Sequence, residues 1–439
     1  MNSEWKRVKL GEIGVIITGK TPPSQQQDCY GSEYLFLTPR DMSTEKYIRN
    51  TERYLSTTGI DKLKGQVISG KSVCVSCIGS DMGKVVLTDK VCVTNQQINS
   101  ITKIDSVYDP EFVYYSLKLM KDFFHKIAGG STMPIINKTS FSNIEINVPE
   151  KSEQTGIVAV LASIDKKIEL NNSINKNLEE MAQAIFKRWF VDFEFPNERG
   201  EPYKTSGGEF EESELGLIPK GWRVGLLSEL GEVVGGATPS KNKEEYYTTQ
   251  GIPWITPKDL SINKNKYISR GQIDITEDGF KNSSTKLVPK GTILFSSRAP
   301  IGYIAISKNE MTTNQGFKSL IPFKHIGTEF LYYVLKFNTE MIESRASGST
   351  FKEISGSEMK RIPVLIPISR VIEQFNEVVE PLGKLVEKCE SENDSLILLR
   401  DSLLPKLMSG EIRVPLEQEY VGTASLPMAA ENKAQYSTT

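Results

Sequence analysis

The stretch "GQVISGKS", Gly65 to Ser72, has a glycine, four free positions, then Gly70, Lys71 and Ser72. With that spacing, backbone N–H groups, a lysine ammonium and a hydroxyl can cradle nucleotide phosphates. The chemistry also requires a strand before the motif and a helix after it, because the helix N-terminus holds the anion. Here the β-branched run "VCVSCIG" follows Ser72, so the order reads turn then strand. A second stretch, "LVPKGTILFSS", occupies the corresponding place later in the chain without the glycine spacing. Gly70 and Lys71 are therefore expected in a turn, and a nucleotide-binding enzyme using Lys71 is the alternative reading.

Two other chemistries are weaker. Cys74 and Cys77 form C-x-x-C, with Cys29 and Cys92 as conceivable further zinc ligands, but all three later cysteines lie in strand-like runs where a thiol acts as a small apolar group. Five cysteines make no disulfide framework, and two histidines leave little for a catalytic base or metal cage. The 439 residues, 38% hydrophobic and 25% charged, suggest a folded protein of two or three domains. No apolar run approaches a membrane span, and "MNSEWKRVKL" does not read as a secretory signal, so a cytoplasmic location is expected. A net charge of −2 neither supports nor excludes a polyanionic partner, whose cations would have to be grouped on one face.

The elements that carry these residues occur twice. At a shift of 217, Trp5, Leu10, Glu12, Gly14, Gly19, Thr21 and Pro22 fall on Trp222, Leu227, Glu229, Gly231, Gly236, Thr238 and Pro239. Further on, "LTPRDM" meets "ITPKDL", "FVYYSLK" meets "FLYYVLK", "TNQ" (94–96) meets "TNQ" (313–315), and "GST" (130–132) meets "GST" (348–350). The chain is two copies of one unit. Each copy closes on a long helical pattern. Ile157, Leu161, Ile164, Ile168, Leu178, Ala182, Ile185 and Trp189 recur at steps of three and four, or multiples of that rhythm. Phe375, Val379, Leu382, Val386, Cys389, Leu396, Leu403 and Leu407 do the same, with Gly410 as a stop. A spacing of 3.5 over several heptads reads as coiled coil. Asn171, Asn175 and Asn393 interrupt the seam, either as buried amides that fix register or at its edge facing water.

The expected fold is α+β (mixed α/β), with internal pseudo-two-fold symmetry. Two similar heads, 1–150 and 222–367, are separated by long helices over 151–192 and 368–410 that form an antiparallel coiled coil. Residues 193–221, rich in Gly, Pro and Glu, read as a linker with little regular structure, and 411–439 as a disordered tail. A helix of about 38 residues is about 57 Å long, enough to hold two readers about one DNA turn apart.

With "GWRVGLLSELGEVVGGATPSK", "LEEMAQAIFKRWFVDF" and "LLRDSLLPKLMSGEIRV", this tandem plan resembles the specificity subunit of type I restriction–modification systems. The resemblance implies that each head is a target recognition domain reading one half of a divided site in double-stranded DNA. It implies helices that set the spacing and dock two modification (methyltransferase) subunits, with restriction subunits joining that core. S-adenosylmethionine, ATP and Mg²⁺ would belong to those partners, and this chain would be non-catalytic. A two-headed scaffold unrelated to DNA is the remaining alternative.

If the heads read different sequences, shared residues are poor base discriminators. Asn95, Gln96, Asn314 and Gln315 read better as turn or core residues. Arg40 and Lys258 keep charge without shape, which suits a phosphate contact or a salt bridge to Asp41 or Asp259. Divergent donors are the expected DNA-binding set: Lys46, Arg49, Arg53, Asn137 and Lys138 in the first head, and Lys264, Lys266, Arg270, Arg298 and Lys352 in the second. The shared aromatic runs read as helix core before stacking platforms. "FKRWF" reads as core or as a docking patch.

Overall fold

The computed structural model describes residues 5–23, 25–42, 45–129, 135–348 and 352–414. The opening four residues, the first "GST", most of the second, and tail residues 415–439 lie outside these. The chain forms two compact units, residues up to 167 with those from 396 onward, and residues 168–395. Each unit holds one head and a stretch of both long helices.

In the first unit, strands β1 (Val15–Thr18), β2 (Ser72–Ser76), β3 (Val85–Thr88) and β4 (Ile98–Thr102) form an antiparallel sheet in the order β1-β4-β2-β3. β2 is buried at every position, as suits the "SVCVS" run at the sheet centre. A second sheet pairs Tyr34–Leu37 in parallel with Cys92–Thr94. A short ladder joins Lys6–Lys9 to Glu145–Val148 and so closes the head. Helix α1 (Pro110–Lys118) packs on β2 and β3. Its start is well specified, with Pro110 in the first turn and the Asp109 carboxylate accepting from the N–H groups of Glu111 and Phe112. The long helix α2 spans Lys151–Phe190.

The second unit repeats this connectivity. Strands β5 (Gly231–Gly235), β6 (Ile293–Ser297), β7 (Ile301–Ser307) and β8 (Lys318–Pro322) lie in the order β5-β8-β6-β7, with Tyr267–Ile268 added beside β7. Helix α3 (Thr328–Phe337) is the counterpart of α1, and α4 (Ser369–Ser409) the counterpart of α2. Gly327 stands where Asp109 caps α1, and the amide of Asn376 on α4 accepts the Phe330 N–H instead.

Ile157 and Leu161 of α2 and Leu404, Leu407 and Met408 of α4 enter one core with Leu10, Val73, Phe112 and Tyr115 of the first head. In the second unit Phe186 and Phe190 surround Phe375, with ring centroids 5.7 and 5.1 Å away. The segment "FKRWF" is thus core through Phe186, Trp189 and Phe190. Every seam residue named from the sequence is buried or half-buried. Within the second unit Asn171 faces Asn393 while Trp189, later in α2, meets Phe375, earlier in α4. The helices therefore pack antiparallel. Asn171 is fully buried, and its amide donates to Asn393 Oδ1 at 2.9 Å while Asn393 donates to Asn172 at 2.8 Å. The asparagines are buried amides, as a register device requires. Asn175 Oδ1 is buried without a partner among the described residues.

The linker expectation is corrected. Phe210–Ser213 and Gly216–Pro219 pair as a hairpin, and Phe195 stacks on Trp222 at 4.8 Å and on Tyr203 at 4.5 Å. Its glycines mark turns, with Gly216 at φ +91°, and the aromatic residues between them bury enough area to order the segment.

Candidate nucleic-acid interface

In the Gly65–Ser72 motif Val67–Ile68 is a short strand, and Gly70 and Lys71 form the bend after it. Gly70 adopts φ +69°, β2 begins at Ser72, and the exposed Lys71 lies 3.3 Å from the Glu111 carboxylate. The motif runs into a strand and not into a helix, which is the wrong order for a phosphate cradle. The cysteines are buried thiols. Burial pushes Cys74 up to about 12 and Cys77 up to about 11, so both stay protonated at neutral pH.

The repeated "TPRD" and "TNQ" residues are scaffold. Asp41 Oδ2 accepts from the Thr38 N–H and hydroxyl at 2.8 and 2.7 Å, and Asp259 repeats this with Thr256 at 2.8 and 2.6 Å. Each aspartate also accepts a backbone N–H from the following loop, that of Glu52 or Gln272. These carboxylates are therefore occupied by local bonds and do not pair with Arg40 or Lys258. Gln96 and Gln315 each take a hydroxyl bond, from Thr21 and Thr238.

Two of the expected DNA-binding lysines are corrected. Lys46 and Lys266 are only 6% and 7% exposed. Lys46 Nζ lies 2.6 Å from Glu111 and 2.9 Å from the Tyr115 hydroxyl, which donates to Asp165 of α2. Lys266 Nζ lies 2.7 Å from Glu329 and 3.1 Å from the Tyr333 hydroxyl, which donates to Glu179 of α2 at 2.8 Å. Tyr47 and Tyr267 complete the clusters by donating to Glu111 and Glu329, each at 2.7 Å. Burial pushes the Glu111 carboxyl up. The hydrogen bonds from Lys46 and Tyr47, with the charges of Lys46 and Lys71, outweigh that and hold it below the ordinary carboxylate range. The same balance, with Lys266 and Lys336 as the cations, lowers Glu179. An ammonium so enclosed cannot reach a groove. The signal was a repeated Lys-Tyr-Ile, at 46–48 and 266–268, displaced by 220 rather than 217 to 219.

Other candidates are committed to neighbours. Arg270 bonds the buried Asp274 and the Thr249 carbonyl. Arg298 lies 3.4 Å from Glu353, which also holds Lys318. Asn137 is exposed, but its carbonyl caps a short helix by accepting the Ser140 N–H at 2.8 Å. Arg49 faces Asp89 at 3.1 Å in the open, a weak pair that a polyanion can displace. The Arg53 guanidinium lies 5.2 Å from the Phe36 ring centroid and 5.8 Å from that of Tyr30.

Arg40, Lys138, Lys258, Lys264 and Lys352 are exposed and make no ion pair or side-chain hydrogen bond among the described residues. Arg40 and Arg53 border a concavity of about 630 Å³ in the first head whose lining includes Asn95 and Gln97. Gln97 was outside the expected set. The structure thus presents unpaired cations on two like scaffolds whose shared residues are bonded inward. Among the described residues no group of three or more His, Cys, Asp or Glu stands close enough to hold a metal, and no helix is long and apolar enough to cross a membrane.

This arrangement defines a tandem recognition protein, two copies of one mixed α/β module carried on paired long helices. The chain belongs to the type I restriction modification DNA specificity domain family, whose profile matches residues 2–180 and again 219–394. The HindI specificity subunit of Haemophilus influenzae is 26% identical over 93% of this chain and 100% of that protein. The MjaIX specificity subunit of Methanocaldococcus jannaschii is 44% identical over 43% of this chain and 44% of its own length. A type I restriction–modification S subunit from M. genitalium shares the fold, with a TM-score of 0.55 at 20% identity over 92% of this chain and 96% of that one.

Proposed function

We propose that the chain is the DNA-reading subunit of a type I restriction–modification complex, each head reading one half of a divided duplex site. One observation carries this reading: the two scaffolds agree in their inward-bonded residues and differ in their exposed donors. Gln97 stands where the second head has Gly316, and Arg53 where it has Ile273. Residues bonded inward hold each head in place, and differing donors let the heads read different bases. The antiparallel helices fix the unread spacing and dock two methyltransferase subunits, which restriction subunits join. S-adenosylmethionine, ATP and Mg²⁺ are assigned to those partners, and this chain supplies recognition without chemistry, in the cytoplasm.

The test is an exchange of residues 222–367 for the corresponding span of a relative, followed by mapping of methylated sites in cells. One half of the recognised site is expected to change and the other to persist. An unchanged target, or DNA binding without sequence preference or steep salt dependence, sinks the proposal.

A further inference from the structure

We infer that Gln97 is a specificity-determining residue of the first head, and that it reads the major-groove edge of an adenine. The inference rests on the DNA-reading function proposed above and assigns a role to one side chain.

The turn after the Cys92–Thr94 strand is built around Asn95, which is only 8% exposed. Its Oδ1 accepts the Gln97 backbone N–H at 3.1 Å, and its Nδ2 donates to Gln97 Oε1 at 3.0 Å. Two bonds from one buried amide thus hold both the backbone and the side chain of Gln97. A reader pre-set in this way gives up little rotamer freedom on binding. Its Nε2 has no partner among the described residues, and its Oε1 retains a second acceptor lone pair. The half-buried side chain lies in the concavity bordered by Arg40 and Arg53, cations placed for the phosphates beside the base. Glu52 and Asp81 also line it, and Asp81 is neutralised by Lys84 at 2.8 Å.

The second head shows which part of this is scaffold. Asn314 makes the same turn, its Oδ1 accepting the Gly316 N–H at 2.8 Å. Gly316 carries no amide, and an added Cβ there would stand 2.9 Å from both Asn314 Oδ1 and the Pro257 ring. The asparagine is common to both heads and positions the turn, while the residue two places on differs. A free donor beside an acceptor with one lone pair still open, on one planar amide, matches the N7 acceptor and N6 donor of adenine.

The experiment uses the full chain assembled with its methyltransferase subunits and a library of duplexes randomised within the recognised site. Gln97→Ala is expected to relax the preference for adenine at one position of one half-site by about 5- to 150-fold. The other half-site stays intact and serves as the folding control. Gln97→Glu keeps the acceptor toward Asn95 but loses the free donor, so the preferred base at that position should move from adenine toward cytosine. Unchanged preferences in both variants overturn the inference, as does an equal loss at every position of the half-site, which marks a scaffold role. A parent complex with no sequence preference overturns the proposed function as well.

Discussion

Both heads bury a lysine in the same Lys-Tyr-Ile segment, against the same glutamate and the same helical tyrosine, yet the long helices complete the two clusters differently. In the first unit α2 brings Asp165 and α4 brings Arg400, 3.1 Å apart. In the second, α2 brings Glu179, which Lys336 also holds at 2.6 Å, and α4 brings Glu390. Lys118, the counterpart of Lys336, has no carboxylate bond among the described residues, and burial followed by the nearby Arg400 charge lowers its pKa. The head's share of each cluster is therefore common to both copies, while the share that the long helices bring differs between the two units. Each head is thus joined to its helices through ion pairs in which the exposed Arg40, Lys138, Lys258, Lys264 and Lys352 take no part.

The sharpest break in this comparison comes from removing the lysine. Lys266→Ala leaves the buried Glu329 without its cation, while Lys336 still holds Glu179, and is expected to destabilise the chain by about 3–5 kcal/mol in urea unfolding. Lys46→Ala should cost less, because Lys71 still reaches Glu111 at 3.3 Å. Equal costs would show that the two clusters are energetically alike after all.

The next effect belongs to the second unit. Glu390 accepts the backbone N–H groups of Lys266 and Tyr267 at 2.7 and 3.0 Å, and burial, outweighing those bonds, pushes it up to about 7. A carboxyl raised in the folded state binds its proton more tightly there than in the unfolded chain. The stability it confers is thus complete below the ordinary carboxylate pKa and is lost as pH rises to about 7. The loss amounts to about 3 kcal/mol. Glu390→Gln should flatten unfolding free energy between about pH 4.5 and 7. A slope that survives the substitution places the titration elsewhere.

The smallest effect is at the surface. Arg40→Ala and Lys258→Ala should leave stability within about 0.5 kcal/mol. Each should weaken DNA binding evenly across sequences and reduce the salt slope by about one. A change in base preference from Lys258→Ala would move that residue from positioning to reading.

Periodicity and repetition made most of the architecture legible. The matched motifs revealed the duplication, and the three-four spacing marked both long helices, because burying one face of a helix leaves a pattern in any chain. The interface was harder to read. Lys46 and Lys266 looked like exposed, divergent donors because a loop insertion shifts them by 220 while their partners Glu111 and Glu329 remain at 218. Nothing in the sequence marks Gln97, because the asparagine that holds it is shared by both heads and only the folded turn joins the two side chains.

Local order thus belongs to the sequence alone: two copies, paired long helices, buried seams and a bend at Gly70 and Lys71 that runs into a strand. Which cations remain free to meet a phosphate was decided only by the tertiary structure. A lysine's charge is written in its side chain, but whether Lys46, Lys266 or Lys336 faces water or a buried carboxylate depends on groups 63 to 157 residues away, brought beside it by folding.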